Sequence, residues 1–299
     1  MERANNSFFP AMLKVAETGL RNQKRREKDF YDDQGFLVCG ICGEKRQDIY
    51  MFPDPTADDP NRKSPIKRVR QCFCDRKAEQ EEKQREQAKK DMETVSRLRS
   101  MSLMDERFAD ATFAKYEKNK YNEKNLRYCR RYVEAFDLMI ENNQGLLFWG
   151  DVGTGKSYSA ACIANALMSK KIPVVMTSFV RMLDAIKNGE EQVAQMMEKM
   201  RYAKLVIFDD LGAERGTQYA LEQVYNIIDS RYRQKLPMLL TTNLTIQQMK
   251  DETDTQYKRI YDRIFETCYP IQFVGVSFRR RAAKQRFERM EQLMNGGDE

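Results

Sequence analysis

One segment of the chain has the residue types and spacing that bind phosphate groups. Residues 150–157 match G-x-x-x-x-G-K-[ST] at every position, after an apolar run and before a helical pattern over 156–169. The glycines let backbone N–H groups face phosphate oxygens, and the helix start adds partial positive charge. Lys156 is expected to reach the β- and γ-phosphates, and Ser157 to ligate Mg²⁺. An ordinary glycine turn is the competing interpretation. The residues predicted to contact a nucleotide are Gly150, Asp151, Val152, Gly153, Thr154, Gly155, Lys156, Ser157 and Tyr158.

Two adjacent carboxylates end a second apolar run. Leu205 to Phe208 is followed directly by Asp209 and Asp210. By itself this pattern indicates a strand that meets a polar loop, but together with a phosphate loop it predicts a magnesium–nucleotide site. Asp209 is expected to hold Mg²⁺, and Asp210 to orient or activate the attacking water. Because an aspartate at this second position is shorter than the glutamate of many ATPases, we expect slow hydrolysis.

Two further polar residues are candidates for sensing the phosphate charge from within the same chain. Asn243 ends the apolar run 237–243, where a turn residue that merely terminates the strand is the alternative. Arg279 lies at the start of a basic C-terminal helical pattern. It is predicted to contact bound nucleotide, whereas surface charge or a contact to nucleic-acid phosphates is the alternative.

Two arginines are candidates for reaching a neighbouring subunit. Arg259 and Arg263 are four residues apart and share one face of a predicted helix. An arginine delivered to a neighbour's γ-phosphate raises hydrolysis by about 10³–10⁵-fold. A surface salt bridge with Asp262 or Glu266 is the more common role of arginines in such a pattern.

The cysteines form a pattern that is typical of a metal site. The chain has 7 cysteines and no histidine, so a histidine base, a Ser-His-Asp triad and a histidine-ligated metal are excluded. An odd number of cysteines without an export signal predicts a reducing compartment. Cys39-x₂-Cys42 and Cys72-x-Cys74 therefore predict an all-cysteine zinc site. Reactive thiols and an iron–sulfur cluster are the alternatives. The single cysteines, for which we expect no ligand role, are Cys129, Cys162 and Cys268.

Short apolar runs alternate with helix-length segments in the second half of the chain. The runs are 145–150, 173–178, 205–208, 237–243 and 270–276. Continuous apolar strands between helices predict an α/β fold with a five-stranded parallel sheet covered by helices on both faces. These strands must place the phosphate loop, the two aspartates and Asn243 at one edge of the sheet.

The chain divides into four segments by composition. We predict a helical N-terminal segment over 1–35, a small zinc-binding domain over 36–75, a charged connector helix over 76–104 and an ATP-binding domain over 105–299. The zinc-binding segment has four prolines, is expected to be rich in loops, and can bury little apolar surface by itself. Metal binding would supply the missing folding energy.

Overall composition restricts the location of the protein. Hydrophobic residues make up 41% and charged residues 32% of the 299 residues, and no apolar run approaches the ~20 residues that span a membrane. We therefore predict a cytoplasmic protein without a membrane partner. The formal net charge of +7 is compatible with nucleic-acid binding but does not establish it.

Five motifs in this order carry a family resemblance: FWGDVGTGKSY, VIFDDLGAER, LLTTNL, RIYDRIFE and GVSFRR. The region from about residue 105 to 290 resembles the DnaC/DnaI/IstB group of AAA+ ATPases, which comprises bacterial and phage replicative-helicase loaders and transposition helper ATPases. The resemblance implies an AAA+ core with a reduced or absent lid domain. The adjacent aspartates also match this group better than the Asp-Glu pair of other AAA+ proteins.

The resemblance assigns a role to each matching residue. It implies Walker A roles for Lys156 and Ser157, and Walker B roles for Asp209 and Asp210. It implies sensor I for Asn243, sensor II for Arg279, and the arginine finger for Arg263, with Arg259 as the alternative.

The cysteine-rich N-terminal region resembles that of DnaI-type loaders and their phage relatives, whereas IstB-type proteins usually lack one. This similarity implies an ATP-dependent loader of a hexameric replicative helicase onto single-stranded DNA. Such a loader forms an ATP-dependent homo-oligomer and uses ATP/ADP, Mg²⁺ and Zn²⁺, and DNA or the partner stimulates its ATPase. One alternative is a transposition helper that binds target duplex DNA. Another is a zinc-dependent DNA-binding module with a structural ATP site.

Overall fold

The computed structural model describes residues 8–53, 62–188, 190–212 and 218–295. By its internal contacts the chain forms two compact units, Met1–Lys90 and Asp91–Glu299, which are described separately below. One long helix, α2 (Phe73–Met101), contains the boundary between the units and covers most of the segment predicted as a connector. None of the helices in the described ranges has the length and apolar character needed to cross a bilayer.

Among its described residues, the first unit contains one helix before α2 and two small antiparallel sheets. The elements are α1 (Phe8–Asn22), β1 (Phe30–Tyr31), β2 (Leu37–Val38), β3 (Gln47–Pro53) and β4 (Lys63–Val69). β1 pairs with β2, and β3 pairs with β4 with Tyr50 opposite Ile66. More strand is present here than the proline-rich composition predicts. The apolar and aromatic run Ile49–Phe52 has the residue types that favour a pleated, half-buried surface.

The second unit is a three-layer α/β domain. Its strands are β5 (Gly145–Gly150), β6 (Val174–Ser178), β7 (Leu205–Leu211), β8 (Met238–Thr242) and β9 (Cys268–Phe273). Its helices are α3 (Glu123–Glu134), α4 (Phe136–Glu141), α5 (Lys156–Ser169), α6 (Phe179–Asn188), α7 (Glu190–Tyr202), α8 (Gln218–Arg233), α9 (Ile246–Lys250), α10 (Thr255–Thr267) and α11 (Phe278–Asn295), with a 3₁₀ turn at Glu106–Phe108.

The five strands form one parallel sheet in the order β6-β7-β8-β5-β9. The predicted α/β class and five-stranded parallel sheet are therefore confirmed. Alternate residues of β5 face opposite sides of the sheet: Leu146 and Phe148 belong to one buried cluster with α3 and α5, while Leu147 belongs to the other with α6, α8 and α10. Apolar residues on both faces explain why the strands are continuous apolar runs.

The carboxyl ends of the three central strands meet at one edge of the sheet. β7, β8 and β5 are consecutive neighbours, and in parallel sheets this edge is where ligands bind. The pairing of β7 with β8 is regular up to Phe208 and resumes at Leu211 after an irregularity. Asp210 lies within it and has a left-handed backbone, with φ of 64°. This bulge changes the direction of the twin aspartates relative to a regular strand.

Candidate nucleotide site and cysteine cluster

The loop from β5 to α5 can be built only with glycine at two positions. A Cβ atom on Gly150 would lie 2.2 Å from the carbonyl oxygen of Phe273, and one on Gly153 would lie 2.1 Å from Oγ of Ser277. Both glycines also have positive φ, at 127° and 81°. The loop is thus folded tightly against the segment between β9 and α11. It leads directly into α5, whose N-terminus carries partial positive charge.

The Lys156 ammonium group lies at the centre of this loop. Its Nζ donates to the carbonyl oxygens of Gly150 at 2.7 Å and Asp151 at 2.8 Å, and to Oδ1 of Asn243 at 2.8 Å. The residue is only 7% exposed, and this burial lowers the pKa of Lys156, whereas the negative charges of Asp210, Asp151 and Asp209 oppose that shift. The structure therefore fixes one cation among backbone carbonyls and carboxylates.

Asn243 connects the lysine to the second aspartate. Its Nδ2 group donates to Oδ1 of Asp210 at 2.9 Å, while its own Oδ1 accepts from Lys156. Burial raises the pKa of Asp210, and the neighbouring negative charge of Asp209 raises it further. The sequence-predicted residues Lys156, Asn243 and Asp210 thus form one hydrogen-bonded chain across three neighbouring strand ends.

Thr241 positions both aspartates, although the sequence reasoning did not select it. Its Oγ1 donates to Oδ1 of Asp209 at 2.7 Å and accepts from the backbone N–H of Asp210 at 2.9 Å. The side chain is 1% exposed. The available signal was its position near the end of the strand that precedes Asn243, but threonine is common in strands and does not stand out there.

A cavity of about 490 Å³ opens above these residues. The predicted residues that line it are Val152, Gly153, Gly155, Lys156, Ser157, Tyr158, Asp209, Asp210, Asn243 and Arg279. Three other predicted residues lie in the same loop but are not part of this lining: Gly150 and Asp151, whose carbonyls accept from Lys156, and Thr154, whose hydroxyl donates to the carbonyl of Asp151 at 2.7 Å. The structure therefore brings the dispersed motifs to a single site.

The opposite wall of the cavity comes from the segment before α3, which gave no sequence signal. Arg107, Phe108 and Tyr116 line it. The Tyr116 hydroxyl forms a 2.7 Å hydrogen bond with Oγ of Ser159 on α5, and burial raises the pKa of Tyr116 to about 12. The phenol is therefore neutral. This wall presents aromatic surface and an arginine, whereas the opposite side of the cavity carries the polar residues described above.

Arg263 lies away from the cavity and is held by groups on α8. Its Nε donates to Oδ1 of Asp229 at 2.8 Å, and its guanidinium also donates to the hydroxyl of Tyr225 at 3.0 Å and to the carbonyl of Arg259 at 3.0 Å. The partner is thus Asp229 and neither of the carboxylates near in sequence. Arg259, the alternative, is exposed.

The four clustered cysteines come together in the first unit. The Sγ atoms of Cys39, Cys42, Cys72 and Cys74 all lie within 4.8 Å of one another, and all four thiols are free. Tetrahedral zinc with Zn–S distances of about 2.3 Å places its sulfur ligands about 3.8 Å apart. The donor set and its spacing therefore fit a zinc ion. The remaining cysteines, Cys129, Cys162 and Cys268, are buried in the second unit.

Charged groups surround the cysteine cluster. Asp75, directly after Cys74, forms ion pairs with Arg26 and with Arg46, and Arg46 also pairs with Asp29. Hydrogen bonds from the backbone N–H groups of Glu44 and Cys74 lower the pKa of Cys42 to about 6. Burial instead raises the pKa of Cys72 to about 12 and that of Cys74 to about 11. Thiolate is the form that ligates metal, and among these three cysteines backbone N–H donors favour it at Cys42.

The fold and the cavity define the class of protein. A phosphate loop between β5 and α5, paired aspartates on β7 and a polar residue after β8, the strand between them, form the ATP-binding domain of an AAA+ ATPase. Residues 77–286 match the family described as IstB-like ATP binding protein, and the chain belongs to this family.

Individual relatives are similar over the ATP-binding region. The phage-like element PBSX protein XkdC of Bacillus subtilis (strain 168) is 28% identical over 140 residues, covering 44% of this chain and 53% of that protein. The replicative helicase loader DnaC of Escherichia coli (strain K12) is 28% identical over 140 residues, covering 46% and 55%. The chain thus spans about half the length of these curated relatives.

A solved structure has the same fold. The crystal structure of the DnaC helicase loader superimposes with a TM-score of 0.50 at 22% identity, covering 57% of this chain and 100% of that one.

Proposed function

We propose that the protein is an ATP-dependent loader that places a hexameric replicative helicase on single-stranded DNA. The observation that carries this proposal is the hydrogen-bonded chain Lys156–Asn243–Asp210 in the cavity, since it joins the phosphate loop to the strand ends that would detect the γ-phosphate. Relatives named replicative helicase loaders support the choice of a replicative helicase as the partner. The same proposal places the protein in the cytoplasm.

Each residue of the cavity has a separate role in ATP hydrolysis. Lys156 binds the β- and γ-phosphates, and Ser157 and Asp209 hold Mg²⁺, which neutralises phosphate charge when bound. Asp210 orients the attacking water, and Asn243 senses whether the γ-phosphate is present because it already contacts both Lys156 and Asp210. Arg279 lines the cavity from the first turn of α11 and contacts the nucleotide of its own chain.

Oligomer formation supplies a further positive charge beside the bound phosphates. In an ATP-dependent homo-oligomer, Arg263 of one subunit reaches the phosphates of the next, with Arg259 as the alternative. Arg263 must leave Asp229 to do so, whereas Asp229 keeps a second partner, because Nε of Arg233 lies 2.7 Å from its Oδ2. Release of the arginine therefore does not strand a buried carboxylate.

The N-terminal region carries the helicase contact. We divide the chain into a helical segment (1–35), a zinc-binding domain (36–75), a connector helix (76–104) and the ATPase domain (105–299). Cys39, Cys42, Cys72 and Cys74 hold Zn²⁺ in the second of these. Their sulfur spacing supports the assignment.

Capture from host extract tests the proposal. Immobilised protein with ATP and Mg²⁺ should retain a hexameric replicative helicase, and Lys156→Ala protein should lose the ATP dependence of that capture. Retention of a transposase together with duplex DNA, and of no helicase, would instead identify a transposition helper. Capture of neither partner, with sequence-specific duplex binding and no hydrolysis, would refute both.

A further inference from the structure

We propose that a surface of the second unit, outside the nucleotide cavity, is a binding platform for single-stranded DNA. It is formed by α3, the turn before α3 and the edge strand β9. We call it the tyrosine face, and its residues are Lys120, Tyr121, Lys124, Arg127, Tyr128 and Tyr269. The inference rests on the proposed function, because it locates the DNA contact that a helicase loader needs.

Three tyrosine rings of this face are open to solvent. Tyr121 is 46%, Tyr128 37% and Tyr269 53% exposed. Tyr121 lies in the turn just before α3, and Tyr128 lies on α3 itself. Tyr269 lies on β9, at the edge of the sheet, and its ring meets that of Tyr128 edge-on with centroids 6.4 Å apart. The face therefore offers three exposed aromatic rings, two of them in contact.

The rings are held by rigid structure. The Asn119 side chain accepts from the backbone N–H of Tyr121 at 2.9 Å, and the Asn122 side chain accepts from the N–H of Asn119 at 2.8 Å, which fixes the turn. The Tyr121 ring packs over Gly275, where a Cβ atom would lie 3.1 Å from the Cβ of the tyrosine. Stacking on such fixed rings requires little ordering of the protein.

Two of the rings lie beside cationic side chains. Nζ of Lys120 lies 5.1 Å from the ring centroid of Tyr121, and Nζ of Lys124 lies 5.6 Å from that of Tyr128. Lys120, Lys124 and Arg127 are exposed, and within the described ranges none of them forms an ion pair with a carboxylate. Arg131, one turn further along α3, is instead paired with Glu134 at 3.7 Å. Three cations are therefore available for an anionic ligand.

This combination fits single-stranded nucleic acid better than the other anionic ligands. Exposed rings stack on unpaired bases, whereas cations beside them follow the phosphates, and both contacts are independent of sequence. Duplex DNA hides its bases from stacking, and an acidic protein surface would use the cations alone. We choose DNA over RNA because the proposed loader places its helicase on a DNA strand.

Binding of an oligothymidylate tests the proposal. The full chain with ATP and Mg²⁺ is titrated into a fluorescein-labelled strand of about 16 nucleotides, and anisotropy is followed at several salt concentrations. The variants are Tyr128→Ala, Tyr269→Ala and the double variant Lys124→Gln/Arg127→Gln. Tyr31→Ala is the matched control, because Tyr31 is 56% exposed and also lies beside an arginine, 5.9 Å from Arg25, but belongs to the first unit.

The two kinds of variant should differ in their salt dependence. Each tyrosine variant should weaken binding about 5-fold or more with an unchanged salt slope, because a stacking contact is lost. The double variant should reduce the slope of log K against log salt by about 1.4, because two phosphate contacts are lost. The control should bind as the unaltered protein does, and basal ATP hydrolysis and melting temperature should be the same for all variants.

Three results would overturn the inference. Variants that bind as tightly as the unaltered protein would exclude the tyrosine face while leaving the loader proposal intact. An equal loss in the Tyr31→Ala control would show a general effect of exposed tyrosines. A face that binds an acidic protein but no oligonucleotide would assign it to that partner. By contrast, an unaltered protein that binds no single strand, with or without helicase, would refute the proposed function itself.

Discussion

Replacing Thr241 with valine removes the group that positions both aspartates while it keeps the shape of the side chain. The hydroxyl donates to the Asp209 carboxylate and accepts from the N–H of Asp210. A hydrogen bond to a charged group contributes about 1.5–3 kcal/mol, and a buried donor left without a partner costs about 1–3 kcal/mol. Because water can reach the half-buried Asp209, we expect a net loss of about 2–4 kcal/mol in the free energy of unfolding.

The next residue on β8 provides a matched control. Oγ1 of Thr242 donates to the carbonyl of Leu211 at 2.8 Å and accepts from the N–H of Leu244 at 3.1 Å, and the residue is fully buried. Thr242→Val therefore removes the same number of hydrogen bonds and should destabilise the protein to a similar extent. It touches neither aspartate, so nucleotide binding should not change. Thr241→Ser keeps the hydroxyl and should restore binding.

The assay is nucleotide binding with and without magnesium. Thr241→Val should raise the Kd for ATP in the presence of Mg²⁺ by about 10-fold, or about 1.4 kcal/mol, because the carboxylate that holds the ion is no longer oriented. With EDTA present, its Kd should equal that of the unaltered protein. Equal effects of Thr241→Val and Thr242→Val on magnesium-dependent binding would refute the positioning role, because only fold stability would then connect the threonine to the site.

Three further changes probe the remaining residues. Lys156→Ala should abolish the calorimetric heat of ATP–Mg²⁺ binding, and retained heat would remove this lysine from the site. Arg263→Ala should leave ATP binding intact and reduce DNA-stimulated phosphate release by about 10³-fold or more, and a larger loss in Arg259→Ala would make Arg259 the finger. Cys72→Ser should deplete bound zinc in metal analysis and lower the melting temperature of the first unit, whereas Cys162→Ser should change the zinc content not at all.

Local patterns were sufficient for the core of the fold. The predicted helix 156–169 coincides with α5, and each apolar run overlaps one strand of the sheet. The largest offset is at β9, which spans Cys268–Phe273 rather than 270–276. The apolar run begins at Pro270, whereas the strand begins two residues earlier. β9 lies at the edge of the sheet, where a residue without an N–H group is tolerated within the strand.

Contacts distant in sequence were beyond these patterns. The phosphate loop and the aspartates are recognisable because each is a contiguous motif, whereas Tyr116 reaches the cavity only through the packing of its segment on α5. Likewise, the sequence suggested nearby carboxylates for Arg263, but the packing of α8 against α10 brings Asp229 to it. Asp210 has a left-handed backbone that no local preference of aspartate requires; the irregular pairing of β7 and β8 imposes it.

The seam between the phosphate loop and α11 has a mechanical consequence. The N–H of Phe278 donates to the carbonyl of Gly153 at 2.9 Å, and no side chain fits between Gly153 and Ser277. The first residue of α11 is thereby fixed to the loop. A small tilt at Gly153 would therefore displace the far end of this 18-residue helix, about 27 Å away, by a larger distance. Nucleotide binding in the cavity would then displace a distant surface that a neighbouring molecule can contact.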